Sequence, residues 1–226
     1  MTEITVDQDQ AVIAGGWLGE PRPGAAHLVL LHGFSCDETE MLDDALKLAP
    51  HLDGLSCRLS SVRGWSPAKG RSSGYEWVGP GPGIGYPAPD LASSVARLIE
   101  VVEALHDGPV VLMGFSQGAA MSSEVLRHRP DLVAGLVALS GYTLIPPRPA
   151  DEELRRDLAA GVGVPTFLAY DEQDHVICGK ALTWTAEYYR NHTALTERTY
   201  EGLGHRISSR QMADIAAFLA PLLAGD

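Results

Sequence analysis

Along the chain, short uninterrupted apolar runs alternate with stretches in which apolar residues recur every three or four positions. An unbroken run bounded by turn residues predicts a strand covered on both faces, and the wider spacing predicts an amphipathic helix. His27-Leu28-Val29-Leu30-Leu31-His32, stopping at Gly33, predicts the first such strand. Pro109 to Met113, Leu132 to Leu139, Val164 to Tyr170 and Ala194 to Tyr200 predict four more, and Leu55 to Val62 a weaker one. Asp37 opens a helical pattern through Met41, Leu42, Leu46 and Ala49. A second pattern, Leu91, Val95, Leu98, Ile99, Val102 and Leu105, is halted by His106-Asp107-Gly108-Pro109. The last helix starts at Ser208-x-x-Gln211, a capping-box signature, and turns Met212, Ile215, Phe218 and Leu219 inward. Gln10 to Leu18 predicts a strand at the sheet edge, and the Gly- and Pro-rich residues from Arg63 to Pro89 predict a long loop without regular structure. Repeated β-then-α order predicts one α/β domain over residues 1–226, with a mostly parallel sheet, helices on both faces and residues 1–24 as an N-terminal arm.

Reactive groups in such sheets gather in the loops beyond the C-terminal ends of the strands. One of those loops carries Gly114-Phe115-Ser116-Gln117-Gly118, between an apolar strand and an Ala-rich helical pattern. That context predicts a nucleophile elbow, a strained strand-to-helix turn that exposes a serine hydroxyl. Gly fits two residues either side because a side chain there would strike the adjoining strand or helix. Gly70-Arg71-Ser72-Ser73-Gly74 matches the same pattern, yet no apolar strand precedes it and no helix follows, so it reads as a loop.

A serine hydroxyl needs an imidazole to take its proton and a carboxylate to orient that imidazole. Of eight histidines, His205 lies after the last predicted strand and before the last helix, in the Gly-rich loop Glu201 to His205. The loop after Tyr170 offers three acids: Asp174, deeper in the loop, is favoured, Asp171 at the strand end suits a turn cap, and Glu172 is the third. The order Ser116, Asp174, His205 is that of an α/β-hydrolase. Oxyanion donors would be the N–H groups of Gln117 and of Phe34, the latter in the loop that Gly33 lets turn inward.

Together these motifs resemble the phospholipase/carboxylesterase family of α/β-hydrolases, which includes acyl-protein thioesterases. Leu31-His32-Gly33 with Asp37-Glu38 resembles its oxyanion loop, Gly114 to Ala119 its elbow, Leu139-Ser140-Gly141-Tyr142 the strand end that follows, Asp174-His175-Val176-Ile177 its acid loop and Gly204-His205 its base loop. Ser35-Cys36, where the family commonly has Gly and a small residue, and His175, in place of Pro, depart from the pattern. The resemblance implies an α/β-hydrolase fold without a large cap and cleavage of short to medium acyl esters or thioesters through an acyl-enzyme. A biosynthetic acyltransferase, cyclase or lyase using the same three residues is the alternative.

The absence of a cap predicts an open cleft roofed by loops, with residues 63–89 on the substrate side. Trp65, Tyr75, Trp77 and Tyr142 are the predicted substrate contacts, joined by Ile84, Tyr86, Leu144 and Ile145; loop anchoring is the alternative role for each. A formal net charge of −12, with no basic stripe, argues against nucleic acid and anionic membranes as partners. The three cysteines, an odd count without C-x-x-C, and the histidine spacing suggest neither a disulfide framework nor a metal, and no phosphate-cradling Gly motif suggests a nucleotide cofactor. With acidic residues at the N-terminus and no apolar signal segment, the expected location is the cytoplasm. Association as a homodimer is left open.

Overall fold

A computed structural model describes residues 2–5, for which only the backbone path is given, 11–52, 54–145 and 147–224. In chain order the elements are β1 (Thr2–Thr5), β2 (Val12–Leu18), β3 (Ala26–Leu31), α1 (Glu38–Leu46), β4 (Cys57–Val62), a small hairpin of β5 (Ser66–Pro67) and β6 (Tyr75–Glu76), α2 (Leu91–Leu105), β7 (Val110–Phe115), α3 (Gln117–His128), β8 (Gly135–Leu139), α4 (Asp151–Ala159), β9 (Pro165–Tyr170), α5 (Gly179–His192), β10 (Ala194–Thr199) and α6 (Ser209–Ala224). Eight strands form one sheet in the order β1-β2-β4-β3-β7-β8-β9-β10. The β1–β2 and β2–β4 pairs are antiparallel, and all pairs from β4 to β10 are parallel.

The apolar runs explain this layering. Every residue of β3 and β8 is buried, because helices cover both sheet faces. On one face the side chains of α2, α3, α4 and α5 form a core with Val29, Leu31, Val110 and Leu112; on the other, α1 and α6 close over Leu28, Leu30, Val111 and Met113. At the open edge, β10 is partly exposed and carries Thr196-Glu197-Arg198-Thr199, polar residues that discourage pairing with another sheet. Asp37 caps α1 by accepting from the N–H groups of Thr39 and Glu40. At α6 the Gln211 side chain accepts from Ser208 N–H at 2.9 Å, the return half of the predicted capping box.

Four expectations change. The segment predicted from Gln10 is β2 and lies inside the sheet, because β1 takes the edge beyond it; Gln10 itself is outside the described residues. The strand expected from Leu132 begins at Gly135, since Pro130–Leu132 forms a short 3-10 turn that buries Leu132 in the core. The 63–89 stretch contains the β5–β6 hairpin, held by pairing of Ser66 with Glu76 and Pro67 with Tyr75. The weak strand β4 is a fully integrated one: its polar Ser60 is buried and bonds His27 Nε2 at 2.8 Å, satisfying a group that dilutes the apolar signal. Among the described residues no cap domain interrupts the sheet and no helix is long and apolar enough to cross a membrane.

Candidate active site

Ser116 joins β7 to α3 with φ +53° and ψ −115°, a conformation a side-chain-bearing residue adopts only under constraint. The constraint is visible in the two flanking glycines. A Cβ on Gly114 would lie 2.5 Å from the Gly118 carbonyl, and one on Gly118 would lie 2.0 Å from the Leu31 carbonyl oxygen. The strand and helix can therefore meet at this angle only through glycine.

His205 Nε2 lies 3.0 Å from Ser116 Oγ, and His205 Nδ1 lies 2.7 Å from Asp174 Oδ2. An ionised Asp174 accepts from Nδ1–H, which leaves Nε2 free to accept the serine proton. The other oxygen of Asp174 accepts from the N–H groups of Val176 and Ile177 at 2.7 and 3.0 Å, so this fully buried carboxylate is fixed from both sides. Phe115 packs its ring 5.0 Å from the imidazole. Asp171 takes a different place. It accepts from Gln173 N–H at 2.9 Å and from Gly204 N–H at 2.8 Å, fastening the Asp174 turn to the His205 turn. The Gly204 bond leads the causes that hold its carboxyl below the usual range. Glu172 is exposed.

Phe34 stands in the turn that Cys36 N–H closes onto Gly33 O at 3.2 Å, while Gln117 N–H is the first donor of α3 and has no partner within the helix. Gly33 must be small: a Cβ there would meet the Phe115 ring at 2.8 Å. Ser35 adopts φ +64°, which accounts for the glycine common at this place in the resemblance.

Two side chains whose roles the motifs did not reveal hold these loops. Gln117 Oε1 accepts from Trp77 N–H at 2.9 Å and its Nε2 donates to Val78 O at 3.1 Å, an amide clamp between the elbow and the 63–89 loop. His32 Nε2 accepts from Gly64 N–H at 2.8 Å, which requires the proton on Nδ1, where it is donated to Gly33 O at 2.7 Å. Position beside a motif is a sequence cue for both, but their partners Gly64, Trp77 and Val78 lie 32 to 40 residues away.

Burial is the main cause that holds His32, and likewise the core residue His27, below the ordinary imidazole pKa of 6.5. The unfolded chain takes up these protons as pH falls through 6.5 while the folded chain resists, so stability is lost on acidification until the folded pKa is passed. Thermal unfolding between pH 7.5 and 5 is expected to show that loss, with a slope of at most about 1.4 kcal/mol per pH unit for each histidine. His27→Gln is expected to flatten it.

Two chambers border the elbow, one reaching Gln117 and the other Phe115 and His205. One, of about 440 Å³, is lined by Phe34, Gln117, Ile84, Tyr86, Tyr142 and Leu144, with Leu91 and Met121 from α2 and α3. The other, of about 410 Å³, is lined by His205, Phe115, Arg206, Cys36, Glu40 and Asp43 among others. Burial, with Glu40 adding to it, pushes the Cys36 thiol up to about 12, which disfavours the reactive thiolate.

Tyr142 lines the first chamber; Trp65, Tyr75 and Trp77 are not among its lining residues, and each takes part in anchoring the loop. Trp77 is 1% exposed, donates its indole N–H to His32 O at 2.9 Å and meets Trp65 edge-on at 5.3 Å. Trp65 donates to Ser94 O and lies under the Arg97 guanidinium. Tyr75 pairs through its backbone with Ser35 and Cys36 and supports Arg63 on its ring. The large apolar surface of these rings is spent on fixing the loop to the body.

Sheet order, elbow and loop positions define an α/β-hydrolase fold. The chain belongs to the phospholipase/carboxylesterase family, whose model matches residues 90–223. Acyl-protein thioesterase 1 of Candida albicans is 30% identical over 112 residues, covering 49% of this chain and 48% of the relative. The Mycosarcoma maydis protein of the same name is 31% identical over 151 residues, covering 59% and 61%. The chain spans about half the length of the first of these curated relatives. Among solved structures, esterase PE8 superposes with a TM-score of 0.71 at 20% identity, covering 93% of this chain and 99% of that one. A carboxylesterase from Mesorhizobium loti does so with a TM-score of 0.68 at 20% identity, covering 99% of each.

Proposed function

We propose that this chain, acting as one domain, is a serine hydrolase that cleaves carboxylic esters or thioesters through an acyl-enzyme. The observation that carries the proposal is the relay from Ser116 Oγ through His205 to the buried carboxylate of Asp174. In this mechanism Ser116 Oγ attacks the acyl carbon while His205 Nε2 takes its proton; Asp174 orients the ring and stabilises the imidazolium. The N–H groups of Phe34 and Gln117 receive the developing oxyanion, and the strained elbow holds the hydroxyl in the path of attack. His205 then gives the proton to the departing alcohol or thiol, and water repeats the sequence on the acyl-enzyme.

The two chambers divide the substrate between them. The apolar one beside Gln117, with Ile84, Tyr86, Leu91, Met121 and Leu144, suits the acyl group, and the one shared with His205 suits the leaving group, which must receive its proton from that ring. Family membership and the esterase and thioesterase names of the relatives support the same reaction class. Labelling with a fluorophosphonate followed by peptide mass spectrometry tests it. Adduct on Ser116, lost in His205→Ala, is the expected result; a wild-type chain that stays unlabelled and turns over no ester would overturn it.

A further inference from the structure

Glu76, the last residue of β6, lines the chamber beside Gln117, and its two carboxylate oxygens stand in different surroundings. Oε2 accepts from Lys69 N–H at 3.1 Å and so ties down the loop of the β5–β6 hairpin. Oε1 has no hydrogen-bond partner among the described residues, although Glu76 is only 6% exposed. It is nonetheless not sealed in the protein interior. Gly79, another residue lining the chamber, shows what this oxygen faces. A Cβ built on Gly79 would find, apart from its chain neighbours, two heavy atoms within 4 Å: Asp90 Oδ2 at 3.5 Å and Glu76 Oε1 at 4.0 Å. The open side of Gly79 is therefore bounded by two carboxylates.

Their situations differ. Asp90 is exposed, so water and salt screen its charge, and its Oδ2 accepts from Gly79 N–H at 2.9 Å. Glu76 is buried, and a buried carboxylate is costly unless a cation or further donors meet it. Lys69 also lines the chamber, but it is exposed and forms no ion pair with Glu76 among the described residues. Much of the remaining wall is apolar, with Val78, Leu91, Met121 and Leu144. The Gln117 amide grips Trp77 and Val78, the two residues between Glu76 and Gly79, and so fixes this carboxylate relative to the elbow. An unanswered negative charge at a set place in an apolar chamber calls for a cationic donor on the ligand.

We propose that the acyl group received by this chamber carries a protonated primary amine, which donates to Glu76 Oε1 with Asp90 adding a weaker attraction nearby. This deepens the hydrolase reading and rests on it. Glu76 then selects among acyl groups and takes no part in breaking the bond.

The test uses ethyl esters whose acyl chains end in methyl, hydroxyl, ammonium or carboxylate, compared at equal length over a series of lengths, with the released acid measured by chromatography. For at least one length, wild-type kcat/KM for the ammonium ester is expected to exceed those of the methyl and hydroxyl esters by at least about fivefold, within the worth of one hydrogen bond to a charged group. Glu76→Gln keeps an acceptor for Lys69 N–H and removes the charge, and it is expected to erase most of that ratio. Asp90→Asn, at an exposed position, keeps an acceptor for Gly79 N–H and is expected to remove part of it, which reads the same field should the buried variant not fold. A ratio under about fivefold at every length, or a carboxylate ester preferred to its ammonium counterpart, overturns the proposal. So does a ratio intact in Glu76→Gln, or in Asp90→Asn where Glu76→Gln does not fold. Methyl-ended esters hydrolysed by Ser116 with no ammonium preference sink this inference alone; no Ser116-dependent turnover of any ester sinks the hydrolase reading with it.

Discussion

Replacing Ser116 with alanine is expected to lower kcat on a p-nitrophenyl ester by about 10⁵-fold or more, leaving the melting temperature within a few degrees of wild type. The loss is large because, in the proposed mechanism, this hydroxyl bonds the acyl carbon and its activation runs through one imidazole at 3.0 Å. His205→Ala is expected to cost a comparable factor, and the double variant little more than either single one, since the two side chains act as a unit. Additive losses would show that the groups work separately. Asp174→Asn is expected to reduce kcat by about 10⁴-fold while the imidazole stays in place, because an amide no longer imposes the tautomer that leaves Nε2 unprotonated. Steady-state kinetics, with circular dichroism as the check on folding, decide these outcomes.

The largest effect on stability is expected at Arg127. Its side chain is fully buried, donates to Glu124 Oε1 at 2.8 Å and Leu144 O at 2.8 Å, pairs with Asp151 Oδ1 at 2.9 Å and lies over the Tyr188 ring at 4.4 Å. Arg148 closes the set by pairing with the other oxygen of Glu124. Arg127→Met keeps much of the volume and leaves two buried carboxylates short of their counter-charge. Breaking such a pair costs about 3–5 kcal/mol, which for a chain of this size lowers the melting temperature by roughly 6–20 °C. Calorimetry or thermal circular dichroism measures it; a shift under about 2 °C would show that the network carries little net stability. Because Leu144 both accepts from Arg127 and lines the chamber proposed for the acyl group, KM is expected to rise with the loss.

Strands β3, β7 and β9 and helices α1, α2 and α6 were legible because each announces itself within a dozen residues: an unbroken apolar run, a repeating apolar face, an Asp cap, a capping box. The strand-end positions of Ser116 and His205 were legible for the same reason, as each sits in a local motif. What the sequence concealed were relations between distant segments. Trp65 and Trp77 look like ligand-binding aromatics in a Gly- and Pro-rich loop, and only the hydrogen bonds to Ser94 O and His32 O reveal them as anchors. Arg127, in the polar-looking end of α3, gives no hint of burial, because its acceptors come from Leu144 and Asp151 as well as its own helix. The choice between Asp171 and Asp174 likewise depended on which carboxylate reaches His205, a distance that spacing alone does not encode.

The carboxylate of Asp171 has one more implication. By lashing the Asp174 turn to the His205 turn, it would join the proposed proton acceptor and its orienting anion mechanically, while Ser116 stands at the cap of a separate helix. Thermal breathing of the C-terminal half would then widen the gap between imidazole and hydroxyl before it disturbs the imidazole–carboxylate contact. Inactivation would begin as a separation of two rigid parts.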